Sequence, residues 1–472
     1  MQADVASLEK RLSASEDAES TVPIDNDNDD PQLEAFACKY KDISQLRSCL
    51  LRLVLDLEDM LSAQLTAIIE APEFQVLEAR WMGLASLVWS KPDVDNIKIK
   101  ILDLNWDELC RDLHYTSEIR RSKLYTLLGY NELDTLGGEP FGIAMIDHSL
   151  SMSVDTEHDE LYTAQLICSM AEACMCPILM SAGDAFFGES DAAWFTDIRR
   201  IKSVLNGEEF RAWQTLRNLP SARFMGLVLP ETQLRGRYED ADIGFRFHQW
   251  PSESTGLWGS GAYDFLRTVI AEFHRCAWFG FLKLVSNEAG VGAVLETTRH
   301  PIPEGCERTM RAKTRMIRDL ALAYSNAGFV VLAESTKSNL CYFVGNRSIM
   351  DCGGVLQNEI TTQLQSVMIA CRIVHYVKVQ IRALIGQAIT AEECERILNE
   401  WFDPYVSPSS GSVEIQARFP LQAARVTVTE SSSEKARFQC KVVVRPQYQI
   451  DNVLGDIQLK TDIGLGKLEG VQ

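Results

Sequence analysis

Apolar residues fall at helical spacing in two consecutive sets near the start of the chain. The first set is Val54, Leu57, Leu61, Leu65 and Ile68, and the second is Phe74, Leu77, Trp81, Leu84 and Val88. Spacings of three and four place each set on one face of a helix. Pro72 between the sets suits the first turn of the second helix. We predict two helices over about 44–88 whose apolar faces pack in a core.

Strand and helix patterns alternate through the next part of the chain. Period-two alternation predicts a strand over 96–104, and short apolar runs predict buried strands. These runs lie at 140–146, 177–180, 224–229, 329–332 and 340–344, the last two forming a hairpin. Helical patterns occupy about 106–113, 116–129, 157–175, 260–276, 305–326, 357–385 and 390–402. This order predicts a mixed α/β (α+β) fold, with a core over 96–403 in which helices cover a sheet.

The last segment, 404–472, has a different pattern. A Pro- and Ser-rich linker at 404–411 ends the preceding helix, and alternating residues follow at 424–429 and 438–445, with a third strand near 456–460. This is a C-terminal β-meander with few residues of its own to cover it, so its edges should seek partners. Two arrangements fit this pattern: strands of neighbouring protomers complete the sheet, or the strands form a closed local hairpin. Four residues are candidates for such an interface: Val426, Val428, Val442 and Val444.

The N-terminal arm, residues 1–43, is acidic. Its first 35 residues hold ten acids and two bases, a composition that keeps a segment flexible. A short helix with Val5, Leu8 and Leu12 on one face is predicted at its start. The arm could serve as a docking helix or as a disordered solubilising tail. No basic and apolar signal segment begins the chain.

Composition narrows the class of protein further. The 472 residues carry a formal charge of −20, which disfavours a nucleic-acid binder. No apolar run reaches the roughly 18 residues of a membrane span. Thirteen scattered cysteines indicate reduced, buried thiols and a cytoplasmic location.

Catalytic signatures are missing from the sequence. There is no P-loop or nucleophile elbow, and the seven histidines are far apart in sequence. Cys174 and Cys176 lack a second ligand pair, so buried thiols are favoured over a metal site, and Asp147-His148 suits a turn after a buried strand. We therefore expect no catalysis, no cofactor and no metal. A cytosolic enzyme with a dispersed active site stays open.

Several segments in order resemble one family, the large subunit (TssC or VipB) of the contractile sheath of the bacterial type VI secretion system. Residues 72–84, PEFQVLEARWMGL, resemble an early helix motif, and 137–142, GGEPFG, resemble a second signature. Further resemblances lie at 210–227, 257–263, 375–379 (HYVKV), 419–426 and 445–448. The stretch 230–238 departs from the family pattern, which leaves open whether the chain is the main or a second large subunit.

The resemblance implies a structural protein with a contractile tail-sheath-like core. It implies a helical region, 44–95, that pairs with a small subunit (TssB), and polymerisation around an inner tube of Hcp on a baseplate. It also implies disassembly by an AAA+ ATPase (ClpV) that engages the N-terminal arm. The acidic helix near 391–403 is a candidate tube contact through Glu392 and Glu395, although a solvated face fits equally. A phage-like tail-sheath protein outside secretion is the other open interpretation.

Overall fold

The computed structural model describes most of the chain. The described residues are 42–92, 96–135, 137–152, 157–188, 196–239, 241–250, 256–283, 294–296, 312–335, 340–354, 356–384, 390–407, 418–430, 438–446 and 457–463. The predicted arm helix with Val5, Leu8 and Leu12 lies outside them.

Twelve α-helices occur in this part of the chain. They are α1 Ile43–Ile69, α2 Pro72–Ser90, α3 Trp106–His114, α4 Lys123–Tyr125, α5 Glu160–Cys174, α6 Ile198–Leu205, α7 Arg211–Arg217, α8 Ala262–Cys276, α9 Arg318–Asn326, α10 Leu356–Thr361, α11 Leu364–Leu384 and α12 Ala391–Phe402. Helix α4 continues as a π-helix, Thr126–Asp134. As predicted, Pro72 is the first residue of α2.

Thirteen strands accompany these helices. They are β1 Ala144–Leu150, β2 Ile178–Ala182, β3 Met225–Leu229, β4 Thr232–Arg235, β5 Ala241–Asp242, β6 Arg246–Phe247, β7 Leu257–Gly259, β8 Val294–Glu296, β9 Phe329–Glu334, β10 Leu340–Phe343, β11 Leu421–Glu430, β12 Phe438–Pro446 and β13 Ile457–Ile463. The mixed α/β class is confirmed.

A six-stranded sheet in the order β1-β2-β3-β9-β10-β8 forms the core. Strands β1, β2, β3 and β9 are parallel, and β9, β10 and β8 are antiparallel. Successive residues alternate between two apolar clusters, so that Leu227 faces one and Val228 the other. Helices α5 and α7 cover the first face and α8 and α11 the second, which explains why these strands are apolar on both sides.

Two compact units can be distinguished within the described residues. The smaller contains 42–78 together with the described part of 235–257, and the larger contains the rest of the described core and the C-terminal strands. In the smaller unit α1 packs against the antiparallel pair β5–β6 around Ile69, Ala241 and Phe247.

Several predicted elements differ from the structure. Residues 97–105 form no regular secondary structure, and none of the described strands pairs with them. The helix predicted over 116–129 is a 3₁₀ turn, Ile119–Arg121, followed by α4 and the π-helix. The helix over 305–326 is α9 alone among the described residues, and Asp147 and His148 lie within β1 rather than in a turn.

The C-terminal strands form the predicted meander, with the order β11-β12-β13 and antiparallel pairing throughout. The expectation that it has little cover is wrong. Side chains of β11 and β12 join Leu398, Phe402 and other residues of α11 and α12 in one apolar cluster, so the chain covers one face of this sheet itself.

Candidate assembly surfaces

The polarity of helix α1 is inverted relative to the helices of the core, because most of its large apolar side chains are exposed. The prediction that its stripe packs in a core is wrong: Val54 is 39% exposed, Leu57 58% and Ile68 56%. Only Leu65 of that set packs into the small cluster around Ile69. Leu61 of that set is also exposed, and further exposed apolar residues extend the stripe along the helix, namely Leu50, Leu53 and Met60.

The opposite face of α1 carries polar residues that bind backbone, beside the buried Leu51 and Ile69. Glu58 Oε1 accepts the N–H of Arg246 at 3.0 Å, and Thr66 Oγ1 accepts that of Trp250 at 3.2 Å. Ser62 Oγ, between them in sequence, lies 3.4 Å from the N–H of His248, and Ser62 and Thr66 are buried. Hydrogen bonds to an extended segment therefore hold α1 in the smaller unit.

Helix α2 also carries apolar residues at its surface, again contrary to the core prediction. Phe74 and Leu77 are exposed, as are Trp81 (65%) and Val88. The stretch 72–84 contains two residues with clear structural roles. Glu78 binds Arg235 through two parallel hydrogen bonds, and Gly83 lies against the ring of Tyr263, where an added Cβ would come within 2.5 Å of Cδ2.

The segment 97–104 is held by its lysines rather than by strand pairing. Lys98 pairs with Glu139, and Lys100 Nζ lies 2.6 Å from Glu132 Oε1. Hydrogen bonding from Lys100 lowers the pKa of Glu132. Ile101 and Leu102 remain exposed at 68% and 50%, so this segment adds apolar surface to the larger unit.

The GGEPFG segment explains how that arrangement is positioned. A Cβ at Gly138 would lie 2.6 Å from the carbonyl oxygen of Asn131, so only glycine fits against the end of the π-helix. The next residue, Glu139, donates its N–H to Glu132 Oε2 at 2.8 Å and binds Lys98 with its side chain.

The structure places the C-terminal candidates as follows. The side chains of Val426, Val442 and Val444 are fully buried and that of Val428 is 6% exposed. Val442 and Val444 lie on the central strand β12, which pairs with β11 on one side and β13 on the other, so of these four residues only Val426 and Val428, on the edge strand β11, could contact another chain, and only through their backbone. On α12, Glu392 is exposed, whereas Glu395 Oε2 accepts the N–H of Val428 at 3.0 Å.

Burial governs the chemistry of the thiols and of one histidine. Cys174 and Cys176 are buried, as predicted. Burial raises the pKa of Cys174 to about 12 and that of Cys176 well above its ordinary value, so both thiols stay protonated and unreactive. Burial also lowers the pKa of His375 to about 4. Asp147 is paired with Tyr263, whose hydroxyl donates to Oδ2 at 2.9 Å, and burial raises the Asp147 pKa.

Histidines that are distant in sequence meet at the start of α5. The rings of His114 and His158 are 5.5 Å apart, and Asp107, Glu157 and His158 bring one ligand atom each within 4.8 Å of one another. These three could hold a divalent cation. Asp107 is about 50 residues from Glu157 and His158, so a search for ligands at short spacing in the sequence does not find this group.

Among the described helices, none is sufficiently long and apolar to cross a lipid bilayer.

Family models account for most of the chain. Residues 52–350 match the N-terminal tail-sheath domain of the EvpB/VC_A0108 family, and residues 355–463 match its gpW/gp25-like tail-sheath domain. The chain therefore belongs to this family of tail-sheath proteins. Its similarity extends to the type VI secretion system sheath protein TssC1 of Pseudomonas aeruginosa, with 24% identity over 435 residues, covering 87% of this chain and 85% of that protein. The family resemblance predicted from the motifs is confirmed.

Solved structures with similarity include two sheath tail proteins. The match to the sheath tail protein of Desulfitobacterium hafniense covers 64% of this chain and 60% of that chain, with 9% identity and a TM-score of 0.28. That of Listeria innocua has the same coverage, 10% identity and a TM-score of 0.30. The baseplate of the anti-feeding prophage matches over 80% of this chain and 83% of that chain, with 8% identity and a TM-score of 0.35.

Proposed function

We propose that the chain is the structural large subunit of the cytoplasmic contractile sheath of a type VI secretion system. In this proposal it pairs with a small sheath subunit of the TssB kind through the apolar face of α1 and the exposed residues of α2. The observation that carries the pairing is the inverted polarity of α1. A soluble chain does not expose so long an apolar stripe unless another molecule covers it.

The spacing of the α1 stripe indicates the shape of the partner. Leu50 and Leu57 are seven residues apart, and so are Val54, Leu61 and Ile68. Apolar residues repeating every seven positions suit the seam of a coiled coil. We infer that the small subunit contributes an amphipathic helix that lies along α1.

Assembly then follows the family pattern. Heterodimers polymerise as a helical sheath around an inner tube of Hcp on a baseplate, and contraction pushes the tube toward a target cell. The energy is conformational, since two packings of the same interfaces differ in stability. An AAA+ ATPase of the ClpV kind dismantles the contracted sheath. The subunit itself needs no catalytic step, in keeping with the non-enzymatic role of a sheath family.

Coexpression with a small sheath subunit of the TssB kind tests the pairing. Replacing Leu57 and Leu61 by Glu puts two charges in the seam, and we expect the small subunit no longer to copurify. The matched control replaces Asp56 and Asp59, which are exposed on the same turns, by Ala and should leave copurification unchanged. Circular dichroism should give both variants the wild-type helix content, because neither leucine is buried. A stable heterodimer containing L57E/L61E would contradict the proposed interface.

A further inference from the structure

Strand β11 lies at one edge of the C-terminal sheet, and its backbone alternates between two directions. In an antiparallel pair, every second residue turns its N–H and C=O away from the neighbouring strand. The N–H groups of Val426 and Val428 point away from β12, toward helix α12. Such outward groups are what another strand would bind when it joins a sheet at its edge.

Asn399 occupies this position with its side chain. Its Nδ2 donates to the carbonyl oxygen of Val426 at 3.0 Å, and its Oδ1 accepts the N–H of the same residue at 3.0 Å. A carboxamide has one donor and one acceptor side, so it reproduces the pair of bonds that a residue of a neighbouring strand would make. Asn399 therefore binds Val426 as a strand residue would.

Glu395 continues the arrangement by accepting the N–H of Val428 at 3.0 Å. The match is geometric. Residues four apart on a helix are separated by about 6.0 Å along its axis, and residues two apart on a strand by about 6.6 Å. Helix α1 uses the same correspondence, where Glu58, Ser62 and Thr66 face the N–H groups of Arg246, His248 and Trp250.

The helix that carries these two side chains is firmly attached. Cys394, Leu398 and Phe402 of α12 are buried in the same apolar cluster as Val426 and Val428. Thr390 caps its first turn by accepting the N–H of Glu393, and Asn399 Nδ2 also donates to the Glu395 carbonyl oxygen at 2.8 Å. The two side chains are thus positioned before any other strand arrives.

We propose that Asn399 and Glu395 act together as a substitute for a fourth strand, which closes the β11 edge against pairing with a second copy of the chain. Growth of the sheet by an incoming strand is then directed to the β13 edge. That second consequence rests on the proposed polymerisation, whereas the closing of β11 is a property of the single chain and holds without it.

The test uses the full chain with both side chains removed, N399A/E395A. Hydrogen exchange at the Val426 and Val428 amides should become about tenfold faster, as loss of a hydrogen bond of roughly 1.4 kcal/mol predicts. Light scattering after size exclusion should also reveal concentration-dependent self-association beyond that of the wild type. The control is Glu392→Ala, an exposed residue of the same helix, which should change neither reading.

A third substitution separates edge pairing from other association. Val428→Pro removes the outward N–H without removing a bond to β12, and proline is tolerated on an edge strand in that orientation. Added to N399A/E395A, it should restore the wild-type association state. If the alanine variant does not fold, N399D keeps the volume and the acceptor but loses the donor to Val426, and a smaller effect of the same sign is expected.

Two results would overturn the proposal. Unchanged exchange at Val426 and Val428 in N399A/E395A would show that the side chains do not protect this edge. Faster exchange without self-association would show that they stabilise the strand but do not close it to other copies. Because every reading is taken on the chain alone, failure here is distinct from failure of the proposed sheath function, which the copurification experiment tests.

Discussion

Arg235 holds Glu78 in a bidentate ion pair, with Nε 2.5 Å from Oε1 and Nη2 2.7 Å from Oε2. Arg235 is 2% exposed and its guanidinium also lies 4.7 Å from the ring centroid of Tyr238. The pair joins α2 to a segment 157 residues further along the chain, and both residues belong to the smaller unit.

Removing one partner of this pair should destabilise the smaller unit strongly. Glu78→Gln leaves a buried guanidinium without its counter-charge, which typically costs about 3–5 kcal/mol. Denaturant unfolding, monitored by hydrogen exchange at residues 42–78, should show the lower free energy of unfolding. Glu73→Gln, on the first turn of the same helix, should stay within about 0.5 kcal/mol of wild type. Equal stability of both variants would mean that the pair contributes little.

Gly83 should not tolerate a side chain while Tyr263 keeps its ring in place. Gly83→Ala forces the Tyr263 ring or α2 to move, and overpacking of this kind costs about 1–3 kcal/mol. In a double-mutant cycle with Tyr263→Ala, the second substitution provides the space, so the cost of Gly83→Ala should fall toward zero. Thermal melts of the four proteins measure this coupling, and additive effects would contradict the contact.

The stability of the larger unit should decline between pH 6.5 and 4 because of His375. Its pKa is lowered to about 4 in the fold, mainly by burial, whereas an unfolded histidine titrates near 6.5. The unfolded chain therefore binds the extra proton first, and stability is lost as the pH falls through this interval. The loss amounts to roughly 3 kcal/mol at most.

The His375 contribution is isolated by comparison with a variant. His375→Gln cannot titrate, so the difference in unfolding free energy between the two proteins should change across pH 6.5–4 and be constant above pH 7.5. Carboxylates titrate in both proteins and cancel in this difference. A difference that does not depend on pH would show that His375 is protonated in the fold without penalty.

The N-terminal arm carries the prediction on recycling. Replacing Val5, Leu8 and Leu12 by Asp removes the apolar anchors that a groove on an ATPase would bind. We expect contracted sheaths to accumulate in cells, visible by fluorescence of a labelled small subunit, while sheath assembly continues. The control replaces Glu9 and Glu16 of the same arm by Gln. Turnover at the wild-type rate in the triple variant would assign recycling to another segment.

Periodicity located most elements of this chain, but it could not tell which face of a helix is covered by the chain itself. The α1 stripe has the spacing of a core face, yet most of it stays exposed beside the described residues of this chain. The same limit applies to 97–104, whose alternation predicts a strand although pairing requires a neighbour. By contrast, local sequence signals were sufficient to predict the start of α2 at Pro72 and the three strands of the C-terminal meander.

The side chains that close β11 could not have been predicted from sequence. Glu395 and Asn399 fall on one face of α12, as their spacing indicates. A polar face of this kind is equally compatible with contact to solvent, to the inner tube or to a strand. What decides is the position of β11, some 27 residues further along the chain. Glu392, one turn away, remains the exposed candidate for the tube contact.

The attachment of α1 through Glu58, Ser62 and Thr66 reverses the usual rules for redesign. A design procedure that treats leucines as structural and serines as replaceable would keep the exposed leucines, which the fold does not need. It would replace Ser62, whose face attaches the helix to the rest of the unit. Polar substitutions at Leu57, Met60 and Leu61 should yield a chain that remains folded yet cannot find its partner. Replacing Ser62 by leucine should instead release the helix and leave the partner nothing ordered to bind.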